Sequence, residues 1–397
     1  MYLRFLALSL LAFSSHAMRV LVIGGSGRVG GSTVRALHRH DAKNCQILVG
    51  GREETNFLKS KARWEQLDPE RDYSNVSFIQ LELSDPASLL AAMEGCDVCC
   101  HTAGPFQMKQ KAEVLEAAIE ARVPYVDVCD DAVVAANAKL LSPKAQELGV
   151  PAVISTGIWP GVDQLMALEA KEALPEGEPL ESIEFAAFTA GTGGAGPTIL
   201  SATFLILAER ALTYRNGQEL RLTPASDMKM VDFGGKVGPR QVFRMNLIEA
   251  YTARQTQGVA NIDTFFGTAP TVYNYLLKFM SMLPKAILGN TELMQKFALF
   301  SMPFVRVTDM LVGATNSMRV QATGRDGSQA ILTYGHDSLE ECVGIATAAF
   351  CLAALRGDVA PGVFFPEEAF TGGEQRKALL KDATQGSFLY ELETRSA

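Results

Sequence analysis

Val20-Leu-Val-Ile-Gly-Gly-Ser-Gly-Arg-Val-Gly30 reads as a short apolar strand that ends in the spacing Gly25-x-Gly27-x-x-Gly30 and runs into a helix. Each glycine has its own reason. Gly25 permits a tight turn, Gly27 lets backbone approach a pyrophosphate, and Gly30 lets the helix close on the strand. Free N–H groups at the start of the helix, Val29 to Arg35, then face the anion with the positive end of the dipole. The stretch is a dinucleotide site, carried by Gly24, Gly25, Ser26, Gly27, Arg28, Val29 and Gly30.

Outward from that turn, strands and helices alternate. Gln46–Gly50 and Val76–Leu81 read as strands on either side of a charged helix, which gives the βαβαβ order of a mononucleotide-binding half. Ser84-Asp85-Pro86 supplies a helix cap and a proline suited to the first helical position, ahead of a helix over 87–93. The strand Asp97–Thr102 ends in Ala103-Gly104-Pro105-Phe106, where proline stops pairing and glycine lets a flat ring approach the backbone. An amphipathic helix over 109–122, the strand Tyr125–Val128, a helix Asp131–Leu148 and the strand Pro151–Ser155 complete a parallel sheet of about six strands.

Beyond Pro160 the strands become longer and alternate: 182–189, 219–222 and 241–245. A hairpin over 318–334 reverses at Arg325-Asp326-Gly327. The expected class is therefore α/β, a Rossmann-type doubly wound parallel sheet with a second α+β mixed-sheet domain. The expected boundaries are a leader over 1–17, the dinucleotide domain over 18–158, a substrate and dimerisation domain over 159–336, and a segment over 337–397 that returns to the first domain. That last segment opens with an Ala-rich helix, Leu339–Leu355, whose small residues allow tight packing. Residues 271–314 are rich in Met and Phe but broken by Pro284 and Gly289, so no single piece spans a membrane. They read either as core or dimer interface, or as a hydrophobic substrate pocket or membrane-surface contact.

Bulk properties narrow the function. At 397 residues and 48% hydrophobic composition the chain exceeds one ordinary core, in keeping with two domains. A formal net charge of −8 without a Lys/Arg cluster argues against nucleic acid and for a small-molecule substrate. Seven scattered cysteines imply no disulfide framework. Cys96-x-x-Cys99 lies in a strand, where its members point to opposite faces, so no metal site is expected. Arg4, the apolar run Phe5–Phe13 and the small residues Ser15 and Ala17 have the form of a cleavable secretory leader. Two other readings stay open: Ala12-Phe13 is similar to the junction of plastid-directed leaders, and a start at Met18 gives a cytoplasmic protein.

Cofactor choice falls at the end of the second strand, Gly50-Gly51-Arg52. Arg52 offers a permanently charged fork for a ribose 2′-phosphate, which favours NADP(H), while Glu53 can begin the next helix. Asp85 and the run Ala103, Gly104, Pro105 and Phe106 stand at further strand ends where the cofactor would lie. No Tyr-x-x-x-Lys dyad follows Tyr125, Tyr273 or Tyr275. Tyr125, Asp127, Asp130 and Asp131 stand at the carboxyl end of strand five, and Asp127 with Tyr125 are the candidates for proton transfer; Asp127 serves equally as a helix cap or loop anchor. Arg215, Arg240, Arg244 and Arg319 are candidates to hold a substrate carboxylate, and His336 is a candidate acid.

The glycine turn with Gly51-Arg52, Ala103–Phe106, Tyr125-Val-Asp127 with Asp130-Asp131, and Gly157-Ile-Trp-Pro-Gly161 together resembles the saccharopine dehydrogenase/reductase-like family. Arg325–Gly327 through Gly335, and the stretch 357–368, are similar to its carboxyl-terminal features. The resemblance implies a Rossmann domain, a mixed-sheet substrate domain inserted before a returning segment, NADP(H), and a homodimer. Saccharopine reductases carry Asp-Pro-Gly where this chain has Trp159-Pro160-Gly161, which replaces a carboxylate near the cofactor with a large aromatic. The expected activity is NADP(H)-dependent reduction or oxidation of a C=N, C=O or C=C bond in an apolar molecule. A true saccharopine reductase and a non-catalytic nucleotide sensor or scaffold are the rivals.

Overall fold

The computed structural model describes residues 17–40, 45–191 and 196–397. The proposed leader, apart from Ala17, lies outside the described residues. The first domain runs β1 (Met18–Ile23), α1 (Arg28–His40), β2 (Cys45–Gly51), α2 (Glu54–Leu67), β3 (Val76–Gln80), α3 (Pro86–Met93) and β4 (Val98–His101). It continues with α4 (Glu113–Ala121), β5 (Tyr125–Asp127), α5 (Ala132–Lys139), α6 (Ser142–Leu148) and β6 (Pro151–Val153). The helix expected over 131–148 is two helices. Pro143 has no N–H for the Lys139 carbonyl, so the chain restarts with proline in the first turn of α6.

The second domain contains α7 (Val162–Glu172), β7 (Leu180–Ala190), α8 (Pro197–Ile206), β8 (Ala211–Arg215), β9 (Gln218–Leu222), β10 (Ser226–Asp232) and β11 (Pro239–Arg244). After α9 (Glu249–Gln257) and β12 (Asn261–Ala269) come three helices, α10 (Val272–Met280), α11 (Lys285–Leu288) and α12 (Thr291–Val312). The hairpin β13 (Asn316–Gly324) and β14 (Gln329–His336) pairs Met318 with Tyr334 across the Asp-Gly turn. The carboxyl-terminal segment adds α13 (Leu339–Leu355), β15 (Gly362–Phe364), α14 (Pro366–Ala369), α15 (Gly373–Ala383) and β16 (Leu389–Arg395).

The first sheet has seven strands rather than six, in the order β15-β6-β5-β4-β1-β2-β3, and all its pairings are parallel. The additional strand is β15, which reaches the edge beside β6 from more than two hundred residues down the chain. Strand order reverses between β1 and β4, and the crevice at that switch is where open α/β sheets take ligands. The middles of its inner strands are apolar because both faces are covered, with Val20, Val22 and Val49 in one cluster and Leu21, Ile23 and Leu48 in the other. The second sheet is mixed: β12 and β7 pair in parallel and their neighbours are antiparallel. The returning segment serves both sheets, since β16 pairs with β14 in the second.

α13 fastens the returning segment to the first domain. It lies against α1, and a Cβ on Gly344 would stand 2.5 Å from the Ser32 backbone, so only glycine permits this approach.

Candidate functional site

The glycine turn has the form that the spacing demands. Gly24 N–H donates to the Gly50 carbonyl (2.9 Å) and Gly27 N–H to the Gly24 carbonyl (2.8 Å), closing a tight reversal. Gly24 has φ +82°, and a Cβ there would lie 2.8 Å from the Ala103 amide nitrogen. A Cβ on Gly30 would collide with the Gly24 carbonyl and Thr102 Oγ1, so the helix closes fully on the strand. At Gly27 a Cβ would meet only the Gly24 carbonyl, at 3.1 Å, on an otherwise open face. The first i→i−4 bond of α1 is Gly31 N–H to Gly27 (2.9 Å), which leaves the Arg28, Val29 and Gly30 amides ahead of the ladder. Ser26 Oγ is buried there without a protein partner. An open glycine face, unspent amides and an orphaned hydroxyl fit a diphosphate.

The other expected cofactor contacts ring the same edge. Arg52 follows β2 with its side chain exposed. Asp85 follows β3 and caps α3, accepting from Ala87 N–H (3.0 Å). Ala103 lies against Gly24, and Phe106 is buried edge-on to His101 at 5.1 Å between ring centroids. Arg28 turns away from the turn toward Glu340 at the start of α13 (3.4 Å).

Tyr125 and Asp127 sit beneath this edge and are 1% and 4% exposed. Asp127 Oδ1 accepts from the amides of Cys129 (3.0 Å) and Ser155 (2.8 Å), and Oδ2 from the Tyr125 hydroxyl (3.0 Å). With the Tyr125 proton committed to Asp127, its oxygen accepts from His101 Nδ1 (3.1 Å). The Asp127 carbonyl also receives Thr156 N–H and Oγ1, each at 2.7 Å. Burial pushes Asp127 up to about 6 and His101 down to about 3. In this arrangement the group ties together the ends of β4, β5 and β6; the carboxylate of Asp127 and the hydroxyl of Tyr125 are spent internally, while His101 Nε2 is buried without a partner among the described residues. Asp131 caps α5 through the amides of Val133 and Val134 (2.9 Å each). Asp130 faces a cavity of about 280 Å³ shared with Gln107, Glu209, Arg221 and Asn246.

The arginine candidates are engaged elsewhere. Arg215 and Arg244 both pair with Asp263, and Arg244 also with Asp227 at 2.8 Å. Arg240 lies over the Phe188 ring at 5.1 Å, and Arg319 donates to Gln321 (2.8 Å). His336 accepts from the Ser338 amide (3.0 Å) at the start of α13. The structure does not bring them together around a substrate.

A second cavity, of about 560 Å³, takes much of its lining from the Met- and Phe-rich stretch 271–314; its walls from Trp159, α8 and Phe266 were not legible in the sequence. Trp159 and Phe266 form one wall, with ring centroids 5.7 Å apart, and the indole N–H donates to Asn316 Oδ1 (3.1 Å). Ile199, Leu200 and Phe204 of α8 form another, and α10 and α12 close it with Leu277, Met294 and Phe297. Among the described residues no charged side chain lines it; its polarity is hydroxyl, from Thr203, Thr268, Tyr273 and Ser301 among others. The start of α8 joins this cavity to the cofactor edge. A Cβ on Gly196 would lie 3.3 Å from Arg28 Cγ, and a Cβ on Gly104 would lie 3.7 Å from Thr198 Cγ2. Leu339 also lines the cavity, beside the Glu340 that pairs with Arg28.

Residues 20–153 match the saccharopine dehydrogenase NADP binding domain family. That domain covers β1 through β6 and therefore contains the whole glycine turn, Arg52, Asp127 and the strand ends described above. The full chain is similar in fold to apo saccharopine dehydrogenase (L-Glu forming) from Saccharomyces cerevisiae, with a TM-score of 0.62 at 14% identity over 96% of this chain and 100% of that one. A probable dehydrogenase from Thermotoga maritima aligns at a TM-score of 0.43 and 11% identity, over 92% of this chain and 94% of that one. No curated protein matches the chain.

Proposed function

We propose that this chain is an NADP(H)-dependent oxidoreductase acting on an apolar substrate held in the larger cavity. The observation that carries the reading is α8: its first turn touches Gly104 and Arg28 at the cofactor edge, and its next turns wall the cavity. One rigid element thus sets the distance between bound cofactor and bound substrate, as hydride transfer requires.

The Arg28–Gly30 amides with Ser26 would hold the diphosphate, Arg52 the 2′-phosphate, and Ala103–Phe106 with Trp159 would flank the nicotinamide end. When bound, the nicotinamide supplies a hydride to, or takes one from, a C=N, C=O or C=C carbon, with a proton moving at the other atom. His101, Tyr125 and Asp127 hold the strand ends that shape this floor. The uncharged lining favours an apolar molecule over saccharopine, whose carboxylates would need cations that the cavity lacks.

The test follows NADPH absorbance with a panel of long-chain carbonyl, imine and enoyl compounds, beside calorimetry on Arg52→Ala. That variant is expected to bind NADPH about tenfold or more weakly, and NADH unchanged, because a charge-assisted bond to phosphate is lost. Oxidation of NADPH only with aminoadipate semialdehyde and glutamate would assign saccharopine chemistry instead. Binding without any turnover would assign a sensor, and no heat with either nucleotide would end the oxidoreductase reading.

A further inference from the structure

We infer that the outward face of α10 and α12 is a docking surface for an anionic lipid bilayer, onto which the mouth of the apolar cavity opens. The inference deepens the oxidoreductase reading and rests on it only for what passes through the mouth. Along α12, Leu293, Phe297, Phe300, Phe304, Val307 and Leu311 recur at alternating spacings of four and three, which places them in one line. The helix has 22 residues, and the line from Leu293 to Leu311 runs about 27 Å along it. All six side chains are exposed, and only Met294, Ala298 and Val305 of α12 are buried. Phe300 is 70% exposed and Met310 83%. α10 widens the line into a patch with Val272, Tyr275 and Phe279, and Met282 follows it. A contiguous apolar surface of this extent marks an interaction site.

Two observations select the occupant. Leu276, Phe279, Ile287, Phe297 and Phe304 are exposed and also line the cavity, so its mouth lies inside the patch. Residues 271–314 also carry Lys278, Lys285, Lys296 and Arg306 against only Glu292 and Asp309, in a chain of formal net charge −8. Glu292 is already paired with Lys296 (2.6 Å). A second copy seated by two-fold symmetry would press these cations together and stopper the mouth. Anionic headgroups neutralise them, and the acyl region continues the apolar phase of the cavity outward. Among the described residues no helix is long and apolar enough to cross a membrane, so the contact is one of lying on the surface.

Flotation of the full chain with phosphatidylcholine vesicles, with and without phosphatidylglycerol, tests this without cofactor or substrate. The chain is expected to float with the anionic vesicles and about tenfold less with neutral ones. A Phe300→Ser/Met310→Ser/Leu311→Ser variant, altered only outside the cavity lining, is expected to stay in the aqueous fraction while binding NADPH like the parent. Lys278→Glu/Lys296→Glu/Arg306→Glu is expected to lose the preference for anionic lipid. A parent that stays aqueous with both vesicles overturns the proposal. So does a parent dimer, seen by light scattering, that the triple-serine variant converts to monomer without any vesicle binding, because a second copy then covers the face. NADPH binding that fails in a parent that still floats removes the oxidoreductase reading and leaves the surface standing.

Discussion

α13 and α12 are both long, apolar helices of this chain, and the fold treats them in opposite ways. α13 is built from small residues, with Gly344, Ala346, Ala348, Ala349, Ala353 and Ala354 all buried, and it lies against α1 and over β4 and β5. α12 is built from large ones, and the fold leaves most of them outside. Small side chains let two backbones approach until dispersion contacts are dense, so α13 needs nothing beyond the chain itself. Large side chains on an uncovered face gain nothing until something outside removes them from water. The difference between an inward and an outward apolar helix is thus written in side-chain size, and it separates the part of the molecule that packs against the glycine-turn helix from the part that lines the mouth of the apolar cavity.

The largest expected effect comes from putting a hydroxyl into the inward helix. Phe350 of α13 is fully buried, edge-on to Phe370 at 5.7 Å. Phe350→Ser removes the ring, leaves a cavity and buries a polar group, which is expected to cost about 4 kcal/mol. Urea unfolding followed by fluorescence reads this as a lower midpoint at unchanged slope. A loss below about 1 kcal/mol would mean that α13 is not packed into the core over β4 and β5.

A middle-sized effect is expected at two buried carboxyls, Asp127 at the end of β5 and Glu367 on α14, where burial sets charge. Asp127 titrates at about 6 and Glu367 at about 7, both raised by desolvation above the ordinary carboxylate range. The folded chain therefore holds protons that the unfolded chain has already released between about pH 4 and 7. Their contribution to stability is full below about pH 4 and is lost as pH rises through the folded values. Asp127→Asn removes its share of that slope between about pH 4 and 6. It also sets an amide N–H₂ among groups that donate, with an expected cost of about 2 kcal/mol. Unfolding midpoints at several pH values check both, and an unchanged slope in the variant would show that Asp127 titrates alike in the folded and the unfolded chain.

Much of this contrast could be read from the sequence, and what could not has a physical reason. The glycine turn, the Asp-Gly hairpin and the limits of α13 announce themselves locally, because turn sterics and helix capping act within a few residues. Ser338, for example, caps α13 through Glu341 N–H. The Met- and Phe-rich stretch was also visible, but whether its side chains face in or out depends on which neighbours cover it. Long-range assembly was legible only in part: β15 joins the first sheet as expected of the returning segment, but the pairing of β16 with the second sheet and the claim of Asp263 on Arg215 and Arg244 left no local sign. Gln107, Asn246 and the α8 contact with Gly104 carried no signal, since single polar or small residues in loops have no periodicity. Asp127 and Tyr125 were legible as strand-end residues, and their burial was not.

The smallest expected effect is the one that most sharpens the comparison. Phe300→Ser makes on α12 the same substitution that Phe350→Ser makes on α13, at a side chain that is 70% exposed and outside the cavity lining. A surface position without caps, ion pairs or core contacts moves stability within about 0.5 kcal/mol. Among the described residues the one aromatic ring that Phe300 meets is Phe304, at 6.2 Å between centroids, itself an exposed residue. The urea midpoint is therefore expected to stay put while vesicle partition falls. A clear loss of stability at this position would mean that the face is already covered within the folded protein, and α12 would then belong to the same class of helix as α13.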